Sequence, residues 1–163
     1  MLKKISIFIV SILISFPAIA SVDVYFSPHD DLESKWVEVI DSARESIKVS
    51  CFGLTNDRIY QALVDKRKTG IPVLVCIDKM QSSSRHDKKP QMIENDIEVV
   101  TKKTIVLEHN KMIVVDGKDA IIGSYNLSDN AQNQDNSIAF FKDEPEIAQK
   151  VTAAIERIKE RDL

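Results

Sequence analysis

Residues 47–78 read IKVSCFGLTNDRIYQALVDKRKTGIPVLVCID, and the fold class turns on this stretch. Residues 47–52 form an apolar run with β-branched positions, which suits a buried strand, and residues 71–77 form a second such run that ends at Asp78. Between them Thr55 or Asn56 offers a helix cap, Ile59, Ala62 and Leu63 recur at helical spacing, and Gly70 supplies a stop. Strand, helix, strand in this order is the parallel unit with a right-handed crossover. Upstream, residues 22–26 read as another strand. Residues 27–31 read as a turn with an acidic cap, and Leu32, Trp36, Val39, Ile40 and Ala43 as an inward helix face. Downstream, Pro90 opens a short helix to Asn95, and strands are expected at residues 97–100, 104–107, 112–115, 120–122 and 138–141. A last helix starts at Pro145, with Ile147, Val151, Ala154, Ile155 and Ile158 on one face. The expected fold class is α/β: a mixed, largely parallel central sheet with helices on both faces.

Residues 1–20 stand apart from this pattern. Lys3 and Lys4 precede an apolar run interrupted only by serines, and Ala18-Ile19-Ala20 has the small-x-small ending that signal peptidase cuts. The reading is a bacterial secretory signal peptide cleaved after Ala20, and hence a periplasmic or secreted protein. An uncleaved anchor is disfavoured because the apolar part is short for a membrane span. Residues 21–163 then make a single domain of 143 residues, long enough for a proper core.

Without Lys3 and Lys4 the domain carries 20 basic and 25 acidic residues, a net charge of −5 with histidine neutral. That excludes a wholly basic nucleic-acid coat, though a local basic patch can still focus an opposite field. Arg85, Lys88 and Lys89, in the polar loop of residues 81–89, and Lys102 and Lys103 are either solvated surface or a grip on a nucleic-acid backbone. Cys51 and Cys76 could pair in an oxidising compartment or rest as buried thiols, and neither neighbours a histidine as a catalytic thiol would. Trp36 and the pair Tyr25 and Phe26 are assigned to core packing.

The chemistry concentrates in HNKMIVVDGKDAIIGSYN, residues 109–126. His109 and Lys111 are two apart, so on a strand they share a face, as do Ser124 and Asn126. Asp116-Gly117 is a strong hairpin signal, and the hairpin would bring those four polar groups together. A metal suits them poorly, because an ammonium beside the imidazole repels a cation and no second histidine lies at ligand spacing. An anion suits them well: Lys111, Ser124 and Asn126 all donate, which is what phosphoryl oxygens need. Residues 126–128 are expected to open a short helix through Ala131 whose free N–H groups add to the anion site. A neutral imidazole can then attack phosphorus.

The spacing His109-x-Lys111, four residues, Asp116, six residues, Gly123-Ser124-x-Asn126 resembles the HxKx4Dx6GSxN signature of the phospholipase D superfamily. The length, the leader and the single copy resemble its small bacterial endonucleases. So do Tyr25-Phe26-Ser27-Pro28, residues 52–56 and residues 70–78, so the resemblance covers most of the domain. It implies that His109 is a nucleophile forming a covalent phosphohistidine, that Lys111 and Asn126 hold non-bridging oxygens, and that Ser124 assists. Asp116 is expected to support local structure. Family members carry a downstream carboxylate that orients the histidine, and Asp135 stands there where Glu is expected, one carbon shorter. No metal and no cofactor is implied.

Such chemistry needs a second group to protonate the leaving oxygen, and the chain has one motif. A homodimer with a shared active site supplies the second copy; the rival is a monomer using His29 or His86 as the acid. The expected function is a metal-independent phosphodiesterase, an endonuclease of little specificity acting on DNA or RNA. No stable membrane association is expected after signal cleavage. The alternatives are a phospholipase D-type lipid phosphodiesterase, which would need a membrane-facing apolar surface, and a non-catalytic phosphate- or nucleic-acid-binding module.

Overall fold

Each helix expected from apolar spacing forms, and the first two begin at a side chain that accepts one of their free amides. In a computed structural model, described over residues 21–81, 84–102 and 105–162, the order is β1 (Ser21–Ser27), α1 (Leu32–Ser42), β2 (Ile47–Cys51), α2 (Asp57–Lys68), β3 (Val73–Asp78) and α3 (Lys89–Glu94). There follow β4 (Glu98–Lys102), β5 (Lys111–Val115), β6 (Asp119–Gly123), β7 (Asn136–Lys142) and α4 (Pro145–Asp162). Asp31 caps α1 by accepting from the Ser34 amide at 2.9 Å. Of the two candidate caps for α2 it is Asn56 that accepts, from the Ile59 amide at 2.9 Å. The expected signal peptide and Lys103 lie outside the described residues.

The seven strands form one mixed sheet in the order β1-β7-β6-β5-β2-β3-β4. Parallel pairing is confined to β2 with β3 and β3 with β4; the other four pairings are antiparallel, so the sheet is mixed as expected but not largely parallel. β1 is not the neighbour of β2 that a simple strand–helix–strand unit predicts. It pairs with β7, Val24 opposite Ala139, and the chain crosses three strands on its way to β2. Helices cover both faces. On one, Leu32, Trp36, Ile40, Ile59 and Leu63 pack with Val49, Val75, Ile113 and Ile121. On the other, Ala148, Val151, Ile155 and Ile158 of α4 pack with Leu74, Cys76, Val100, Met112 and Val114. Trp36 Nε1 and Tyr125 Oη are buried without a hydrogen-bond partner among the described residues. Burial of an aromatic ring is worth about 4–6 kcal/mol from its area, against about 1–3 kcal/mol for one orphaned polar group, so packing wins.

Two local expectations also change. No strand forms at residues 105–107: Ile105, Val106 and Leu107 lie in a bend after β4 and are 105 %, 58 % and 49 % exposed. β4 is the edge of the sheet and has no further strand beside it, so an apolar run there finds nothing to pair with. Phe26 is likewise exposed, on the outer face of β1, while Tyr25 packs inward and Trp36 is fully buried. Of the two alternatives open for the cysteines, the buried thiols hold: both are free. Cys51 stands opposite Ile77 and Cys76 opposite Ser50, one residue out of register, which sends the two thiols to opposite faces of the sheet.

Asp116 ties the halves of the sheet together. It and Gly117 take positive φ of 53° and 64° in the three-residue turn, residues 116–118, between β5 and β6. From there the carboxylate accepts the backbone amides of Arg44 at 2.9 Å, Glu45 at 2.8 Å and Ser46 at 2.9 Å, clamping the α1–β2 connection to the hairpin. Partial burial acts to raise the Asp116 pKa, but the Ser46, Glu45 and Arg44 amides together outweigh it and the net shift is downward. A depressed carboxylate stabilises the fold above its unfolded pKa and loses that contribution as pH falls through the folded value. Asp116→Ala should therefore cost about 1–3 kcal/mol at neutral pH. In urea melts the gap to wild type should narrow as pH falls below about 4; a gap constant down to strongly acid pH would contradict the clamp.

Candidate active site

β5 runs antiparallel to β2 with Lys111 opposite Cys51, so β5 begins where the parallel strands end. The C-terminal ends of β2 and β3, the residues entering β5 and the residues leaving β6 thus meet at one rim of the sheet. This is the rim where open α/β sheets place their ligands. Leu127 is drawn in by a parallel bridge to Leu54, and its carbonyl accepts the amides of Thr55 at 2.9 Å and Asn56 at 3.1 Å. Asn126 is thereby brought over the end of β2.

His109 and Asn126 line one hollow of about 260 Å³ with Phe52, Gly53, Thr55, Gln81 and Ser128. The His109 ring is exposed and meets Phe52 edge-on, with centroids 5.2 Å apart at 62°. Lys111 is 4 % exposed; its Nζ donates to the His109 carbonyl at 2.7 Å and sits 5.7 Å from the Phe52 centroid. That leaves the ammonium two further N–H donors beside the imidazole. Burial lowers the Lys111 pKa, opposed by the nearby Cys51 and Glu108. Burial also pushes the Cys76 thiol up to about 12 and Cys51 higher still, so neither is a nucleophile at ordinary pH.

The other expected residues are placed differently. Ser124 is exposed, and its hydroxyl is already engaged: it donates to Asn136 Oδ1 at 3.1 Å and accepts from the Ser137 amide at 3.0 Å, joining the end of β6 to the start of β7. Asp116 lies at the opposite end of β5 from His109, in the structural role expected of it. Asp135 is exposed and makes no hydrogen bond to His109 among the described residues. The helix expected from residue 126 to Ala131 does not form; one turn of 3-10 helix covers Ala131–Asn133 instead, because the bridge to Leu54 holds Leu127 extended. Gly123 is required by space, since a Cβ there would come within 2.2 Å of the Ser137 carbonyl and 2.9 Å of Ile138 Cα.

Several residues were not singled out from the sequence. Phe52 contacts both the imidazole and the ammonium, and Thr55 and Ser128 edge the hollow. Behind the rim, Ser50, Asp78 and Glu108 form a buried polar group at 0 %, 4 % and 1 % exposure, and Lys102 belongs to it: expected as solvated surface or a grip on a nucleic-acid backbone, it is instead 3 % exposed and turned inward to Glu108. The sequence carried a signal for them: a serine inside an apolar strand, an aspartate closing another, and a glutamate directly before the histidine.

The family described as "Cardiolipin synthase, PLD-like domain" matches residues 36–159, well over half of the chain. A phospholipase D of Rickettsia bellii is 28 % identical over 129 residues, 79 % of this chain and 64 % of that protein. The chain thus spans just under two thirds of the length of that curated relative. Among solved structures, Nuc from Salmonella typhimurium, described as a phospholipase D family member, superposes with a TM-score of 0.83 at 24 % identity, over 88 % of this chain and 97 % of that one. NucT from Helicobacter pylori gives 0.79 at 21 % identity, over 87 % and 97 %. The fold is shared with both, and the chain belongs to the phospholipase D-like domain family.

Proposed function

We propose that this chain is a metal-independent phosphodiesterase of the phospholipase D superfamily, exported from the cell, that cuts nucleic acid through a phosphohistidine at His109. The observation that carries this reading is the single hollow shared by His109 and Asn126, with the Lys111 ammonium held on the His109 carbonyl. An imidazole nitrogen bonds to phosphorus, and the P–O bond to the leaving group breaks, the oxygen keeping the electron pair. Lys111 and Asn126 hold the non-bridging oxygens as charge builds. Water then attacks phosphorus and displaces His109.

A homodimer supplies the acid. In this reading the second copy's His109 protonates the leaving oxygen and later takes the proton of the attacking water. Exposed Ile105, Val106 and Leu107, just before His109, give a second copy an apolar surface to cover. His29 is a weaker acid candidate: its side chain is 93 % exposed and paired with Asp30 at 2.9 Å. His86 lines a neighbouring hollow of about 510 Å³ that shares Thr55 and Ser128 with the His109 hollow. That hollow also carries Arg85, which forms no ion pair among the described residues, and Lys88, which pairs with Asp57. A continuous polar path of this kind suits a polymer flanking the cut phosphate, and the fold shared along 97 % of both Nuc and NucT is compatible with it.

A lipid phosphodiester is the second reading. It is favoured by the same exposed apolar residues and by the relatives named phospholipase D, although among the described residues no helix is long and apolar enough to cross a membrane.

The decisive assay sets labelled DNA, RNA and phosphatidylcholine vesicles side by side in excess EDTA. DNA or RNA should be cut and the lipid spared, and His109→Ala should lower turnover about 10⁴-fold or more; cleavage of lipid alone would transfer the activity to the second reading. Sedimentation should give a dimer, and a fully active monomer would remove the shared site. Because the charged form of Lys111 acts and burial lowers its pKa, kcat/KM should fall on an alkaline limb below the ordinary lysine value of 10.5. Lys111→Met should cost about 100- to 1000-fold, and Lys111→Arg should move the limb upward; a limb left in place would exclude Lys111 as its source.

A further inference from the structure

We infer that Glu108 is a positioning residue for His109, acting from the opposite face of the sheet; this rests on reading His109 as the nucleophile. The His109 ring has no hydrogen bond of its own among the described residues, only the edge contact with Phe52. Its aim is therefore set by the backbone of residues 108–111, and that backbone is held from both sides. On the site's side the Lys111 ammonium holds the His109 carbonyl at 2.7 Å. On the other side Glu108 Oε1 accepts from the Asn110 backbone amide at 3.1 Å and from Asn110 Nδ2 at 2.7 Å, bracketing His109 between its two chain neighbours.

The bracket is anchored to three strands. Ser50 of β2 donates its hydroxyl to the same Oε1 at 2.9 Å, Lys102 of β4 lies 3.6 Å from Oε2, and the Glu108 amide donates to Asp78 Oδ2, at the end of β3, at 2.9 Å. Lys102 and Glu108 are almost wholly buried, and a buried ion pair is a poor device for stability alone, since apolar residues of the same volume often do as well. What apolar residues cannot do is accept the two Asn110 hydrogen bonds. The carboxylate earns its place through geometry, converting the rigid ends of β2, β3 and β4 into a fixed direction for the imidazole.

Removing Glu108 alone would strand Lys102 and confuse folding with function, so the test removes the pair. Lys102→Met/Glu108→Met should melt within a few degrees of wild type. Its kcat on labelled DNA should fall at least tenfold with KM within threefold, the split expected when a bound substrate meets a misdirected nucleophile. In parallel, the ¹⁵N signals of the His109 ring should go from one set in the wild type to broadened or multiple sets in the double variant. Wild-type kcat with an unchanged His109 spectrum would overturn the proposal. Should the double variant not fold, Ser50→Ala and Asn110→Ala decide by the same two readouts, and wild-type values in both overturn it. Failure of the nucleophile reading looks different, because His109→Ala would then keep its activity; the ring spectrum tests the bracket whatever the substrate proves to be.

Discussion

The pairing of β5 against β2 fixes where all the polar chemistry can sit. With Lys111 opposite Cys51, Met112 falls opposite Ser50 and Ile113 opposite Val49, so each side chain of the motif strand is assigned to a face by the pleat. Lys111 shares the face that carries Val49 and Ile113 and opens at the rim; Ser50 and Met112 share the face covered by α4. A slip of one residue would bury the ammonium under α4 and turn Met112 to the substrate side. The Asp116 clamp at the far end of the same strand opposes such a slip. It fastens the turn to the α1–β2 connection, so β5 cannot slide without breaking three hydrogen bonds that backbone amides donate to one carboxylate.

Two layers of polar groups flank this strand's entry, and they differ in purpose. The outer layer, His109 and Asn126 over Phe52, is open to solvent and leaves donors and an imidazole free, as the proposed reaction requires. The inner layer, Ser50, Asp78, Lys102 and Glu108, is closed, and its groups are mostly spent on one another. Free groups outside and satisfied groups inside are what preorganisation requires: the inner layer costs desolvation once, on folding, and the outer layer need not rearrange when charge develops.

Much of this was legible in the sequence, for physical reasons that vary by element. β2, α2 and β3 were clear because buried parallel strands are continuously apolar and the connecting helix is capped and stopped by Asn56 and Gly70. The β5–β6 hairpin was clear because Asp116-Gly117 suits positive φ. Residues 105–107 misled because β-propensity describes a side chain's fit to a sheet and not whether a neighbouring strand exists to receive it. The place of β1 was hidden for a related reason: its partner β7 lies more than a hundred residues away, and no local pattern encodes that choice. At the site, spacing alone gathered His109, Lys111 and Asn126, since a hairpin aligns them, whereas Phe52 and Glu108 act through contacts from other strands.

Cys51 and Cys76 sit on neighbouring strands yet are kept apart by the thickness of the sheet itself, one thiol under the α1 and α2 layer and the other under α4. The fold is therefore indifferent to whether it matures in an oxidising or a reducing medium. Neither glutathione nor an oxidase finds a sulfur to act on until the strands separate, so a disulfide in an aged preparation would be a record of past unfolding.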